Sequence, residues 1–362
     1  MKVESLKLVN FRNYLNQKLQ FSDGLNVIVG QNAQGKTNLL ESIYFFCIAK
    51  SPRINKDKEL INFEKENAKI EANVKRDFGK VKLEVFFSKS QKKTIKINET
   101  TINRVGDLFG ILNAVYFSPD EMKLVKESPD NRRRFLDVDI SQMNKAYFYN
   151  LLKYEKIIDH RNKLLKTAKN LEEIDDSLSI FTSQAIEIAS KIIFERLKFI
   201  EKLKPILEKT HENLTNGGER IHLEYNGVVG NSIDEIKQKL EKFFEKNKQK
   251  DFELRYTTTG PHRDDFKIYI NDIDVRAFGS QGQQRTATLS LKLSELEIFK
   301  EETGEYPLLL LDDVLSELDS SRQQKLLEYC KKTQVFLTCT AFNEKIDYSY
   351  NLIKVKSGEI YE

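Results

Sequence analysis

The hydrophobic pattern of this chain changes period twice. Through about residue 118, apolar positions mostly alternate with polar ones, in Val3-Glu-Ser-Leu-Lys-Leu8, Lys69-Ile-Glu-Ala-Asn-Val74, Val81-Lys-Leu-Glu-Val-Phe-Phe87 and Thr94-Ile-Lys-Ile-Asn98. Alternation buries one face and wets the other, so these segments predict half-exposed antiparallel strands. Leu25-Asn-Val-Ile-Val29 predicts another strand, and Ala114-Val-Tyr-Phe117 a buried one ending before Pro119. From about 130 to 250 the spacing becomes helical. Tyr147, Leu151, Tyr154, Ile158 and Leu165 form one stripe, and Ile174, Leu178, Phe181, Ala185, Ile188 and Ile192 form a second. Such stripes predict long antiparallel helices packed side by side. Pro205 marks a kink in the second helix, and Asn216-Gly217-Gly218 its end. A short strand, Arg220–Tyr225, and a helix from Ser232 to about Lys246 follow. From about residue 251 strands and helices mix again. The expected organisation is an α/β fold, a mixed sheet with helices, carrying an inserted and mostly helical lobe. The expected boundaries are 1–120, 121–250 and 251–362.

The densest chemistry follows the strand at Leu25. Gly30-Gln31-Asn32-Ala33-Gln34-Gly35-Lys36-Thr37 lies between that strand and a helical pattern opening at Asn38. Strand, glycine loop and helix form the context of a phosphate-binding P-loop. The glycines let backbone N–H groups turn toward phosphate oxygens, and the helix adds its positive end. Lys36 is placed for the β and γ phosphates, and Thr37 offers a hydroxyl to Mg²⁺. Near the other end, Leu308 to Leu311 run into Asp312 and Asp313. Four leucines predict a fully buried parallel strand, with the carboxylates at the end where open α/β sheets bind ligands. Asp312 is the expected Mg²⁺ partner, and Asp313 the group that orients or deprotonates an attacking water. Ser280-Gln281-Gly282-Gln283-Gln284 precedes a helix expected from Thr286 to about Lys300, with Leu289, Leu293, Leu296 and Phe299 on one stripe. Ser280 has the chemistry of an N-cap, and a helix N-terminus is a second anion site. One chain has no need of two sites for one γ-phosphate. The motif is therefore expected to act on the nucleotide of a second copy.

These residues carry a resemblance. Ser280-x-Gly282-Gln283-Gln284 before a helix resembles the signature motif of ABC-type ATPases, in their structural-maintenance and DNA-repair branch. Ser316-Glu317-Leu318-Asp319 resembles that branch's D-loop. Within it, four stretches are similar to the RecF family: Leu8–Tyr14 with Gly30–Asn38; Pro119-Asp120 through Ser128-Pro129 to Arg132-Arg133-Arg134-Phe135-Leu136-Asp137; Thr259–Asp265; and Leu310–Asp319. The match runs end to end in the family's order. It implies an ABC-type P-loop ATPase head and weak, DNA-stimulated ATPase activity. The implied ligands are ATP and Mg²⁺. The implied assembly is an ATP-dependent homodimer that binds single-stranded and gapped duplex DNA without reading sequence. The implied partners are RecR, RecO and RecA, in a cytoplasmic protein without a membrane partner. Glu127 stands where the family usually has glycine. Thr338-Cys339-Thr340 stands where many ABC ATPases have a switch histidine, and no Q-loop glutamine is recognisable.

Bulk properties alter this picture little. No apolar run approaches the roughly 18–20 residues that span a bilayer, and Met-Lys-Val-Glu-Ser lacks the apolar core of a signal peptide. Cys47, Cys330 and Cys339 lack metal-ligand spacing and read as reduced thiols, Cys47 in the core. The net charge is +4, from 59 basic and 55 acidic residues, so nucleic-acid binding requires a local patch. Arg132-Arg133-Arg134 is the densest basic cluster, and it fits either phosphate contact or a solvated or helix-pairing face. His262 with Asp264 and Asp265 has poor metal spacing and reads as a structural turn. Arg12 and Asn13 fit either a nucleotide contact or a structural role at a strand end. Two alternatives are weighed against the repair reading. One is an ATPase subunit of a membrane transporter. The other is a GTP switch, for which no Asn-Lys-x-Asp guanine motif is present.

Overall fold

A computed structural model describes residues 1–342 and 349–361, apart from the side chain of Glu317. The last residue of the expected 251–362 segment, and its stretch 343–348, lie outside the described residues. The strands in chain order are β1 (Lys2–Phe11), β2 (Tyr14–Gln20), β3 (Leu25–Val29), β4 (Asn67–Arg76), β5 (Gly79–Ser88), β6 (Thr94–Ile97), β7 (Thr100–Thr101), β8 (Ala114–Phe117), β9 (Ile221–Asn226), β10 (Asp265–Ile270), β11 (Ile273–Asp274), β12 (Leu308–Asp312), β13 (Val335–Cys339), β14 (Tyr350–Lys356) and β15 (Glu359–Tyr361). The helices are α1 (Lys36–Ile48), α2 (Lys123–Lys126), α3 (Pro129–Met143), α4 (Lys145–Thr167), α5 (Asp175–Thr215), α6 (Ile233–Leu254), α7 (Val275–Phe278), α8 (Gln281–Thr303) and α9 (Ser320–Glu328). The chain divides into two compact units, one of residues 1–122 and 288–362, the other of residues 123–287.

The first unit holds two sheets. One is antiparallel, in the order β2-β1-β4-β5-β6-β7. Its alternating segments pair as the pattern predicts: Leu6, Leu8, Ile70, Ala72, Leu83 and Val85 all turn into the core. The other has the order β15-β14-β3-β13-β12-β8, and all its pairs are parallel except β14 with β15. Both sheets and α1 contribute to one core cluster, from Val3 and Phe87 to Phe45, Leu310 and Phe336. Leu39 to Cys47 are all buried on α1, so that helix shows no amphipathic stripe. Leu308 to Leu311 are completely buried. Each contributes about 1.5–3 kcal/mol of transfer free energy, which fixes where β12 ends.

The second unit is mainly helical. α4 and α6 pack along α5, a helix of 41 residues that continues through Pro205. Its end is as expected: Asn216 turns left-handed at φ 54°, and Gly217 follows at φ 76°. Tyr147, Tyr154, Ile158 and Leu165 are buried on α4, and Leu178, Ala185, Ile188 and Ile192 on α5. α6 begins after the Ser232 cap, whose hydroxyl accepts from the Glu235 N–H, but it reaches Leu254 rather than Lys246. Its last two turns are rich in Lys, Glu and Gln, strong helix formers with no apolar stripe to reveal them. The three-stranded sheet β11-β10-β9 completes the unit.

Candidate functional site

β3 delivers the chain to Gly30 at its C-terminal end, inside the parallel sheet between β14 and β13. A Cβ on Gly30 would stand 2.3 Å from the Val355 carbonyl oxygen, so only glycine passes there. The loop then turns through left-handed Ala33 (φ 63°) and Gly35 (φ 118°) into α1. No acidic residue occupies the first turn of α1, which leaves its positive end free for an anion. Gln31, Asn32 and Ala33 are exposed, whereas Lys36 is buried. The Lys36 ammonium donates to the carbonyls of Gly30 (2.7 Å) and Gln31 (3.1 Å), within the loop that would wrap a phosphate.

The loop is braced from outside. Asn13 Nδ2 donates to the Gln34 carbonyl (2.8 Å), Asn38 Nδ2 donates to Asn13 Oδ1 (2.9 Å), and the Tyr14 hydroxyl donates to the Gly35 carbonyl (2.9 Å). The Gly358 N–H donates to the Gln34 carbonyl (3.0 Å), and the Ser357 N–H to Gln34 Oε1 (2.6 Å). Arg12 makes two 2.9 Å bonds to the fully buried carboxylate of Glu41 on α1. Arg12 and Asn13 thus take part in the scaffold that holds the loop.

β12 lies between β13 and β8 and places Asp312 beside α1. Asp312 Oδ1 accepts from the hydroxyls of Thr37 (2.9 Å) and Thr338 (2.8 Å), and Oδ2 accepts from the Tyr116 hydroxyl (2.9 Å). Asp313 adopts φ 55°, and its N–H donates to Thr338 Oγ1 (2.9 Å). Burial pushes the Asp313 carboxyl above its ordinary range; Lys36 pulls it back and Asp312 adds to the rise. Lys36, Thr37, Asp312 and Asp313 are therefore brought together at the C-terminal ends of β3 and β12. Thr338 and Tyr116 complete the arrangement. The sequence named Thr338 only as a departure and Tyr116 only as part of a strand. The available signal was that each lies at or near the end of an apolar strand, where site residues collect.

The hydroxyl of Thr37 and the carboxylate of Asp312 are hard oxygen donors that fit Mg²⁺. Among the described residues no group of three or more His, Cys, Asp or Glu side chains could hold a metal. A cation at Thr37 and Asp312 would thus complete its shell from water and phosphate oxygens, the usual habit of Mg²⁺.

Ser280 lies in the second unit. Its hydroxyl accepts from the Gln283 N–H (3.2 Å), and Gln283 Oε1 accepts from the Ser280 N–H (3.0 Å). This reciprocal pair is a capping box. It starts α8 at Gln281, five residues before the expected Thr286. Gly282 falls in the first turn, where a glycine does not stop a helix already capped. Ser280, Gln281 and Gly282 are exposed. In the D-loop, Ser316 Oγ donates to the Asp313 carbonyl (2.8 Å), and Asp319 caps α9 by accepting from the Arg322 N–H (3.0 Å). The side chain of Glu317, part of that motif, lies outside the described residues.

Two clusters have internal partners. Arg132 is buried and pairs through two bonds with Asp265 (2.6 and 2.9 Å), while Arg133 donates to the Asp264 carbonyl (2.7 Å). Arg132 and Arg133 are thus engaged in internal pairing, while Arg134 is exposed. His262 lies between the Tyr154 hydroxyl (2.8 Å) and the Thr257 carbonyl (3.1 Å), and burial lowers its pKa to about 4.

A parallel sheet feeding a P-loop, with an acidic strand end beside it and a capped serine helix elsewhere in the chain, defines an ATPase head of the ABC type. The family model for the RecF/RecN/SMC N terminal domain matches residues 2–359. The chain is 45% identical over 370 residues to the DNA replication and repair protein RecF of Clostridium tetani (strain Massachusetts / E88), covering 100% of both. A solved structure of the recombination mediator protein RecF-ATP in the RecFOR pathway superposes with a TM-score of 0.91 at 39% identity, over 99% of this chain and 96% of that one. An SMC head bound to the C-winged helix domain of ScpA shares the fold at a TM-score of 0.57 and 16% identity, over 98% and 94%. The chain belongs to the RecF family of DNA replication and repair proteins. That membership leaves the transporter-subunit alternative without support. No helix among the described residues is long and apolar enough to cross a membrane.

Proposed function

We propose that this chain is an ATP-controlled DNA-binding protein of recombinational repair and replication restart, and a slow ATPase. The observation that carries the reading is the Thr37–Asp312 hydrogen bond, which joins the P-loop to the acidic strand end. The RecF relative solved with ATP supports it. Gly30 to Asn38 bind the triphosphate of ATP through loop amides and the α1 N-terminus. Lys36 exchanges its loop carbonyls for β and γ phosphate oxygens. Thr37 and Asp312 hold Mg²⁺, which when bound neutralises charge on the β and γ phosphates. Asp313 orients the attacking water and takes its proton.

Ser280, Gln281, Gly282 and Gln283 act on a second copy. Their exposed, capped helix start closes on the γ-phosphate held by the partner copy's loop, so ATP holds a homodimer and hydrolysis releases it. The dimer binds single-stranded and gapped duplex DNA through backbone phosphates, and DNA stimulates its weak hydrolysis. Through the family resemblance, its work is to help load RecA with RecR and RecO, in the cytoplasm. The chain ends, residues 1–122 and 288–362, form the unit that holds the P-loop and Asp312, and residues 123–287 form the inserted unit that carries Ser280.

Light scattering without nucleotide, with ATP and Mg²⁺, and with added gapped duplex tests the reading. An ATP-dependent dimer that retains DNA is expected. Ser280→Arg should bind ATP and stay monomeric; if it dimerises normally, the trans site is wrong.

A further inference from the structure

β11 closes a hairpin with β10, and Asp274 at its end caps α7 by accepting from the N–H groups of Arg276 (2.9 Å) and Ala277 (3.3 Å). Val275 anchors this single turn in the interior, 1% exposed. The chain leaves through Gly279, whose N–H donates to the Val275 carbonyl (3.1 Å). A Cβ on Gly279 would stand 2.5 Å from that oxygen, so a side chain there would open the turn. Gln284 Nε2, from the first turn of α8, donates to the same carbonyl (3.2 Å). The segment is fixed at both ends, and between them Phe278 is 79% exposed.

A lone exposed phenylalanine is ordinary on a protein surface. This one is fixed by hydrogen bonds to the residues that start α8. Ser280 follows two positions later, held by its capping box, and Gln283 Nε2 donates to Glu219 Oε1 (2.9 Å). Phe278 and Ser280 therefore stand two positions apart, both exposed, on one stretch held by hydrogen bonds. Arg276 and Arg285, two positions before and seven positions after Phe278, are exposed. An aromatic side chain on a backbone held in this way is the kind that anchors interfaces at reduced entropic cost.

We infer that Phe278 docks against the nucleotide-binding face of a second copy of this chain when Ser280 closes on that copy's ATP. The inference rests on the trans reading proposed above. It adds a positioning residue: burial of the ring supplies contact area, while Ser280 and the helix start supply the polar contact.

The chain contains no tryptophan, so F278W introduces a single fluorophore at the contact. The full-length variant is titrated in concentration with Mg²⁺ and a non-hydrolysable ATP analogue, and mass and fluorescence are read on the same samples. The expected result is a blue shift and reduced acrylamide quenching that rise in step with the dimer. F278A should weaken the dimer about tenfold while leaving analogue binding to the monomer unchanged. A dimer in which the indole stays as quenchable as in the monomer overturns the inference and leaves the trans site standing. So does F278A dimerising as tightly as the unmodified chain. If F278W blocks the dimer but still binds the analogue, F278A decides by that same criterion. If the unmodified chain forms no dimer with the analogue, the trans reading fails and the inference falls with it.

Discussion

Thr37 and Asp312 are 275 residues apart in sequence, yet the threonine hydroxyl lies 2.9 Å from the aspartate. One stands at the start of the helix after β3, the other at the end of β12, with β13 between the two strands. The same carboxylate receives Tyr116 from β8 and Thr338 from β13, so three elements converge on it. A carboxylate held from three sides in this way is positioned before any ligand arrives, as the proposed metal and phosphate site would require.

Two substitutions separate phosphate binding from metal binding. Lys36→Ala should remove the two proposed charge-assisted contacts to the triphosphate and lower ATP affinity about a hundredfold or more. Asp312→Asn keeps the shape but loses the anionic ligand. Its ATP affinity should match the unmodified chain in EDTA and gain much less from added Mg²⁺. Calorimetric titration with and without Mg²⁺ checks both. A D312N chain with the full Mg²⁺ enhancement would remove Asp312 from the metal site.

If Asp313 is the base proposed above, it should set the pH dependence of turnover. As the base it works ionised, and its pKa lies above the ordinary carboxylate range because of burial and Asp312, with Lys36 opposing. Single-turnover hydrolysis should therefore rise with pH through an acid limb displaced upward from that of a solvated aspartate. Asp313→Asn should bind ATP, remain dimeric and lose this limb together with most hydrolysis. An unchanged limb in D313N would assign the proton to another group.

What was legible in the chain was mostly local. The P-loop declares itself within eight residues, and Leu308–Leu311 can only be a buried strand. Alternation revealed β1, β4 and β5 because one face of each is wet. What the sequence hid depends on strand order. Nothing near Tyr116 signals that β8 will lie beside β12, and nothing near Arg132 points to Asp265, 133 residues on. The early start of α8 was missed because Gly282 reads as a loop residue when its capping box is not counted.

The inserted unit contains a buried ion pair with a testable asymmetry. Arg161 Nη1 lies 2.8 Å from Asp251 Oδ2, and both side chains are at most 1% exposed. Asp251 also accepts from the N–H and hydroxyl of Thr258 (2.9 and 2.6 Å), and Arg161 donates to Thr257 Oγ1 (2.7 Å). Arg161→Met strands a buried carboxylate and should cost about 3–5 kcal/mol in urea unfolding. Adding Asp251→Asn should recover much of the loss, because the remaining group is neutral and keeps its threonine donors. If the double variant is no more stable than R161M, an unpaired charge is not the cause.

His262 and Asp264 pull stability in opposite directions across one pH window. Burial lowers the His262 pKa from 6.5 to about 4, so between those values the unfolded chain binds the proton more readily. Its contribution is therefore full above about pH 6.5 and is lost as pH falls toward 4. Burial raises the Asp264 pKa from 3.8 to about 6, against the pull of Arg196 and the Tyr225 hydrogen bond. There the folded chain binds the proton more readily, so a penalty present above about pH 6 is relieved as pH falls toward 3.8. Each shift corresponds to roughly 3 kcal/mol, and the two offset one another. Urea unfolding of the intact chain should thus show little net slope from this pair between pH 4 and 6. His262→Gln leaves the aspartate alone, and its stability should rise on acidification through the window. Asp264→Asn leaves the histidine alone, and its stability should fall. Parallel slopes in the two variants would show that at least one of the two groups does not titrate as its burial dictates.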